Sequence, residues 1–230
     1  MRILVHREVS MAKDCYIFGA GEESLPKRIP ARDSILVIAA DGGFTAALRA
    51  FNSLDLVVGD FDSLGYLPTC VPTVCHPAEK DETDLFLAVE EGLARGADRF
   101  LIYGALGARL DHTVANLQLL SGLAKRGYSA FLFGADGGII TAVAGGQTLS
   151  FPEGYTGTVS VLALGEEARG VTLTGMKYPM QDGRMTSDFP LGVSNEFAGS
   201  AASVSLVHGT LHVFFREDVA LPLPAFTVGE

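Results

Sequence analysis

The chain reads as an α/β unit, mostly parallel and three-layered, followed by an antiparallel β-sandwich. Three observations predict this. Apolar strand-like runs alternate with helical periods through the first part of the chain. The helical period then vanishes near Asp136-Gly137-Gly138. Four short acidic loops also recur where the early strands end. Taken in order, strands are expected over 15–18 and 34–39, a short helix over 44–51 and a short buried strand over 56–58. The helix over 83–95 has Thr83 placed to cap it, with Leu85, Val89 and Leu93 on one face. A strand over 100–103, a helix over 113–125 and a strand over 130–133 complete the alternation, which implies βαβ units and a parallel sheet. Beyond the Asp-Gly-Gly turn, short alternating runs over 148–151, 158–164, 170–174, 202–206 and 210–215 are separated by turn residues, the pattern of a sandwich or barrel. Two domains, 1–138 and 139–230, are therefore expected to meet around 134–145.

The acidic loops are Asp41-Gly42-Gly43, Gly59-Asp60-Phe61-Asp62-Ser63, Lys80-Asp81-Glu82-Thr83-Asp84 and Gly107-Ala108-Arg109-Leu110-Asp111-His112. In an open parallel sheet, whatever follows the carboxyl ends of the strands gathers in one crevice. Asp41, Asp60, Asp62, Asp81, Asp84 and Asp111 would then share it, and carboxylates so crowded repel unless cations neutralise them. Mg²⁺, held by one or two carboxylates and by substrate phosphates, is the natural occupant. Singly, Asp60-Phe61-Asp62 reads as readily as an Asp/Gly turn. The recurrence of acids at neighbouring strand ends favours the metal. In an extended backbone Asp60 and Asp62 would both face the crevice, with Phe61 anchoring the loop behind them. Asp84 in a first helical turn also suits the helix dipole, and Lys80 can meet either phosphate or solvent. The stretch from Gly104 to His112 is glycine-rich, follows a strand and enters a helix, so its backbone N–H groups and the Arg109 fork suit phosphate. It can equally be a plain connection with Asp111 or His112 as N-cap. Gly19-Ala20-Gly21 lacks the third glycine of a dinucleotide fingerprint, which disfavours a nicotinamide cofactor.

Composition narrows the field. A net charge of −10 argues against nucleic acid or an anionic membrane as the main partner. Cys15, Cys70 and Cys75 form no C-x-x-C pair, and a reducing cytoplasm is the simplest setting. Residues 1–13 lack the apolar core of a signal peptide, and no apolar run reaches membrane-spanning length. Met11 stands just before the first strand, so the residues ahead of it read as a dispensable extension or a misassigned start. In the second half, Ser194-Asn195-Glu196-Phe197 interrupts the strand pattern. Its Ser and Asn can read a heterocycle edge and Phe197 can stack on its face, or the segment is an Asn turn beside a buried Phe.

In that order, Asp41-Gly42-Gly43, the 59–63 block, Lys80-Asp81-x-Thr83-Asp84, Gly107-x-Arg109-x-Asp111-His112 and Ser194-Asn195-Glu196-Phe197 resemble the thiamine pyrophosphokinase family over nearly the whole chain. The resemblance implies Mg²⁺-dependent transfer of pyrophosphate from ATP to the hydroxyl of thiamine, giving thiamine diphosphate and AMP. It implies catalytic roles for Asp60, Asp62, Asp81, Arg109 and Asp111, with Asp60, Asp62 and Asp81 on the metal. Nucleotide contacts are implied for Asp41, Gly42, Gly43, Lys80, Asp84, Gly107, Arg109 and His112, and thiamine contacts for Ser194, Asn195 and Phe197. It further implies a homodimer whose active site is shared between subunits. Two departures stand out. Ala108 occupies a position usually glycine in the family, and the chain has no Trp, leaving Phe197 to supply the aromatic surface. A pyrophosphokinase acting on a pterin alcohol would share the acidic site but not the 194–197 segment. A non-catalytic thiamine or sugar receptor would leave the acids unexplained.

Overall fold

The computed structural model describes residues 13–62, 65–77 and 79–229. Ser63 and the residues around Met11 lie outside them. The first strands form where the sequence is apolar on both sides of the pleat. They are β1 (Asp14–Phe18), β2 (Ile35–Ala40), β3 (Leu56–Gly59), β4 (Thr73–Cys75), β5 (Arg99–Tyr103) and β6 (Ser129–Phe133). They pair in parallel in the order β4-β3-β2-β1-β5-β6. Apart from the edge strand β4 they are buried almost throughout, as a parallel sheet covered on both faces requires.

Helix α1 (Phe44–Phe51) ends at Asn52, whose left-handed φ of 57° replaces the usual terminal glycine. Helix α2 (Asp84–Ala94) starts as the sequence predicts, with the Thr83 hydroxyl accepting from the Phe86 N–H. Helix α3 (Leu110–Lys125) begins three residues earlier than its periodicity suggests. Neither Asp111 nor His112 is its N-cap. Both lie in the first turn, and the cap position belongs to Arg109, which makes no side-chain capping bond.

The sheet does not stop where the helical period stops. Strand β7 (Gly138–Ala144) runs antiparallel to β6 within the stretch expected to be a junction. Its apolar run is buried on both faces and flanked by glycines, so it carries no period-2 signal. The later strands are β8 (Gln147–Phe151), β9 (Thr158–Leu162), β10 (Ala168–Thr174), β11 (Met180–Met185), β12 (Asn195–Glu196), β13 (Ala202–Ser205), β14 (Thr210–Arg216) and β15 (Ala225–Val228). Strands β7, β14, β9 and β12 extend the first sheet to ten strands, and β11-β10-β13-β8-β15 form a second, antiparallel one. The sandwich is thus the second sheet packed on the far end of the first. One core holds α1, one face of the long sheet and the second sheet, with Phe18, Phe51, Phe131, Phe151 and Val171 among its members. The other lies under α2 and α3, with Ile17, Ile38, Leu85, Ile102 and Leu120.

Candidate active site

Strand order reverses between β1 and β5, and the carboxyl ends of such strands frame a ligand crevice. A crevice of about 610 Å³ opens there, lined by Gly19, Ala20, Gly21, Asp41, Asp60, Asp62, Lys80, Asp81, Asp84, Gly107, Arg109 and His112, among others. All of the 80–84 loop and part of each of the other three acidic loops converge on it, in line with the strand-end argument.

Asp41, Asp60 and Asp62 form its densest part. One carboxylate oxygen from each lies within 4.8 Å of the other two. Asp41 is only 6% exposed, and its Oδ1 is buried without a hydrogen-bond partner. Its φ of 41° is left-handed, a strained conformation that Asp tolerates better than most residues. Gly59 makes this approach possible, because a Cβ there would lie 3.0 Å from the Asp41 Cβ. Asp60 and Asp62 do not alternate along an extended strand. Phe61 between them has a φ of 63°, and the Asp62 N–H turns back to Asp60 Oδ1 at 3.1 Å. Phe61 itself is buried in the core and anchors the loop, as expected. The bond from the Asp62 N–H holds the Asp60 carboxyl below the usual carboxylate range. Asp81 lines the crevice but, among the described residues, does not enter the close trio. Asp41 takes that place.

The cations nearby are already engaged. Lys80 Nζ lies 2.6 Å from Asp84 Oδ1, with the lysine side chain 12% exposed. Arg109 makes two bonds to Asp111, of 3.3 and 2.7 Å, but both side chains are about two-thirds exposed. Solvent screens so exposed a pair and leaves it weak, so Arg109 can exchange Asp111 for an anion. Asp111 does not itself line the crevice. Gly42 and Gly43 do not either. A Cβ on Gly43 would fall 1.9 Å from the Phe18 carbonyl oxygen, so this glycine serves the packing of the chain beside β1. Ala108 has a φ of 51°, the left-handed conformation in which a methyl group is disfavoured.

Sequence reasoning missed two parts of the site. Gly19 and Gly21 are an incomplete fingerprint in the sequence, yet they form the wall opposite Gly104, where a Cβ on either would sit 2.7 Å from its carbonyl oxygen. Asn116 also lines the crevice, and its Nδ2 donates to the Ala105 carbonyl at 2.6 Å. The i, i+4 spacing from His112 was the signal that would have found it.

Ser194, Asn195 and Phe197 are elsewhere, at and beside β12. Asn195 is 5% exposed and spends its side chain inside the chain. Its Oδ1 accepts from the Tyr178 and Glu196 N–H groups, and its Nδ2 donates to the Tyr178 carbonyl at 2.8 Å. Phe197 is 8% exposed and packs against Phe151 and Tyr155 at centroid distances of 4.9 and 5.4 Å. Ser194 is exposed, with a φ of 58°. Tyr178, Phe189, Leu191 and Val193 form an exposed apolar run around it.

A family model described as the thiamin pyrophosphokinase catalytic domain matches residues 31–132, and one described as the thiamin pyrophosphokinase vitamin B1 binding domain matches residues 147–211. The chain is 31% identical over 182 residues to a thiamine pyrophosphokinase of Bacillus subtilis (strain 168), spanning 76% of this chain and 85% of that protein. The crystal structure of thiamine pyrophosphokinase from Bacillus subtilis is similar at 28% identity with a TM-score of 0.73. That of a thiamin pyrophosphokinase family protein from Enterococcus faecalis is similar at 29% identity with a TM-score of 0.74. Each likeness covers 90% of this chain and all of the other.

Proposed function

From the premise that the chain belongs to the thiamine pyrophosphokinase family, and is an enzyme of that type, we propose how its crevice performs the reaction. The substrates are ATP and thiamine, and the pyrophosphoryl group passes from ATP to the thiamine hydroxyl, leaving AMP. Residues 1–138 hold the nucleotide, and residues 139–230 supply the thiamine side.

The observation that carries this reading is the Asp41–Asp60–Asp62 trio with its orphaned buried oxygen. All-oxygen donors suit Mg²⁺. One carboxylate oxygen from each of the trio lies within 4.8 Å of the other two, and these side chains would draw in to hold the ion. Asp81, which lines the same crevice, would hold the metal through water. Bound there, Mg²⁺ would offset phosphate charge and polarise the β-phosphorus. Asp60, kept ionised by the Asp62 N–H, suits a ligand better than a base, so another carboxylate of the cluster takes the hydroxyl proton late in the transfer. Arg109 leaves Asp111 and bridges phosphate oxygens with its planar fork. Lys80, fixed by Asp84, adds positive charge at the wall, and His112 and the first turn of α3 face the same anion.

Asn195 and Phe197 act as the frame of the thiamine side, holding Ser194 and its exposed neighbours in place. From β1 to β12 the sheet takes six inter-strand steps, roughly 30 Å at about 4.8 Å each. One chain therefore does not bring its own 194–197 segment to its own crevice. A homodimer with sites shared between subunits brings the two together, and the exposed apolar run around Ser194 supports such docking. A cytoplasmic setting suits the three free thiols. The direct test is incubation with thiamine, ATP and Mg²⁺. AMP and thiamine diphosphate are expected in equal amounts, and neither should form with EDTA. Formation of ADP instead would refute pyrophosphoryl transfer.

A further inference from the structure

The connection from β1 to β2 contains no α-helix, and its first residues lie along the loop that follows β5. The Gly19, Gly21 and Glu22 N–H groups donate to the carbonyls of Tyr103, Gly104 and Leu106 at 2.8, 2.7 and 3.0 Å. Because a trans peptide sets its N–H opposite its C=O, the N–H groups of Ala105 and Gly107 are turned away from this clamp. Ser24 closes the clamp from the other side. Its hydroxyl accepts from the Gly104 N–H at 3.0 Å and donates to the Phe133 carbonyl at 2.8 Å, while the residue is 8% exposed.

The position is strategic for two reasons. Gly104, with a φ of 62°, is the left-handed pivot on which the glycine-rich loop leaves β5. Phe133 is the last residue of β6 and pairs with Ile139 of β7, where the chain passes into its second half. One buried hydroxyl thus ties the pivot of the loop to the β6–β7 hairpin.

We propose that Ser24 is a positioning residue that presets the 104–109 loop for nucleotide phosphate. It touches no reacting atom and acts through Gly104. The inference rests on the nucleotide reading of the crevice. Removing the hydroxyl strands a buried donor and a buried acceptor at once, and the Gly104 N–H is then free to turn and carry the loop with it.

The test compares Ser24→Ala and Ser24→Thr with wild type, measuring Mg-ATP binding by calorimetry and the thiamine KM at saturating ATP. The expected result is Mg-ATP binding weakened by roughly tenfold in Ser24→Ala, recovery in Ser24→Thr, and a thiamine KM within twofold throughout. Hydrogen exchange should quicken at Gly104 and the residues after it before it quickens in β2 or β14. Ser24→Cys, whose thiol is a poor acceptor, should fall between the two and replaces the alanine variant if that does not fold. Mg-ATP binding within twofold of wild type in the alanine or cysteine variant would overturn the proposal, as would equal losses for ATP and thiamine. Failure of wild type itself to bind Mg-ATP would instead overturn the nucleotide reading.

Discussion

Replacing Asp41 by Asn should stabilise the metal-free protein while disabling it. The carboxylate is buried, one of its oxygens has no partner, and two more carboxylates lie within 4.8 Å. At that distance a like-charge pair costs about 3.5 kcal/mol at an effective dielectric of 20 and about 0.9 kcal/mol in bulk water. Asp60 is half-buried and Asp62 exposed, so the lower part of this range applies, about 1–2 kcal/mol for the two together. Asn keeps the shape and, like Asp, tolerates a φ of 41°. In a chain of this length the gain corresponds to a Tm rise of about 2–8 °C without metal. Wild type should recover the difference when Mg²⁺ is added, by about 2.7 kcal/mol at a hundred times its Kd. The variant should gain far less, and its turnover should fall at least about a hundredfold. Differential scanning calorimetry with EDTA and with a Mg²⁺ series, beside an AMP-release assay, reads all three quantities. A lower metal-free Tm in Asp41→Asn, or an undiminished Mg²⁺ response, would refute the reasoning.

Arg109→Lys should lower kcat by about tenfold or more and leave the thiamine KM nearly unchanged, because an ammonium cannot bridge two phosphate oxygens; loss of thiamine affinity with intact chemistry would move Arg109 to the acceptor side. Mixing an Asp62→Asn subunit with a Ser194→Lys subunit should restore part of the activity that either homodimer lacks, since one of the two shared sites is then intact; verified heterodimers without recovery would contradict a shared site. Ala108→Gly removes a left-handed penalty of about 1–2 kcal/mol and adds unfolded-chain freedom of about 0.4–1 kcal/mol, so urea unfolding should find the protein more stable by no more than about 1.5 kcal/mol, and a clear destabilisation would rule the strain out. His212 Nε2 lies 2.9 Å from the Leu117 carbonyl, its Nδ1 is buried without a partner, and burial lowers its pKa. Below about pH 6.5 the unfolded chain takes up a proton that the folded one refuses, so stability should fall as pH drops from 7 to 5; an unchanged slope in His212→Gln would exclude this residue as the cause.

The sequence by itself determined whatever depends on a residue and its near neighbours. Strands β1, β2, β3, β5 and β6 lie within a residue or so of their apolar runs, because a strand covered on both faces must be apolar throughout. Thr83 marked the start of α2 because its hydroxyl meets an N–H three residues on. The acids were legible as a site because strand ends in a parallel sheet converge whatever lies between them. Other features depended on partners distant in the chain. Strand β7 carries neither a helical nor a period-2 signal and becomes a strand only because β6 and β14 offer their edges. Asp41, not Asp81, completes the trio because β2 and β3 are neighbours and Gly59 lets their ends touch. In the sequence Asn195 can either read a ligand or make a turn beside a buried Phe, and only the fold brings Tyr178, 17 residues away, to both ends of its amide. Ser24 carried no motif, and its hydroxyl gains a role only from a Gly104 N–H 80 residues on. Local rules fix which groups stand at strand ends. Which of those groups meet depends on strand order, and strand order is set by the burial of the whole sheet.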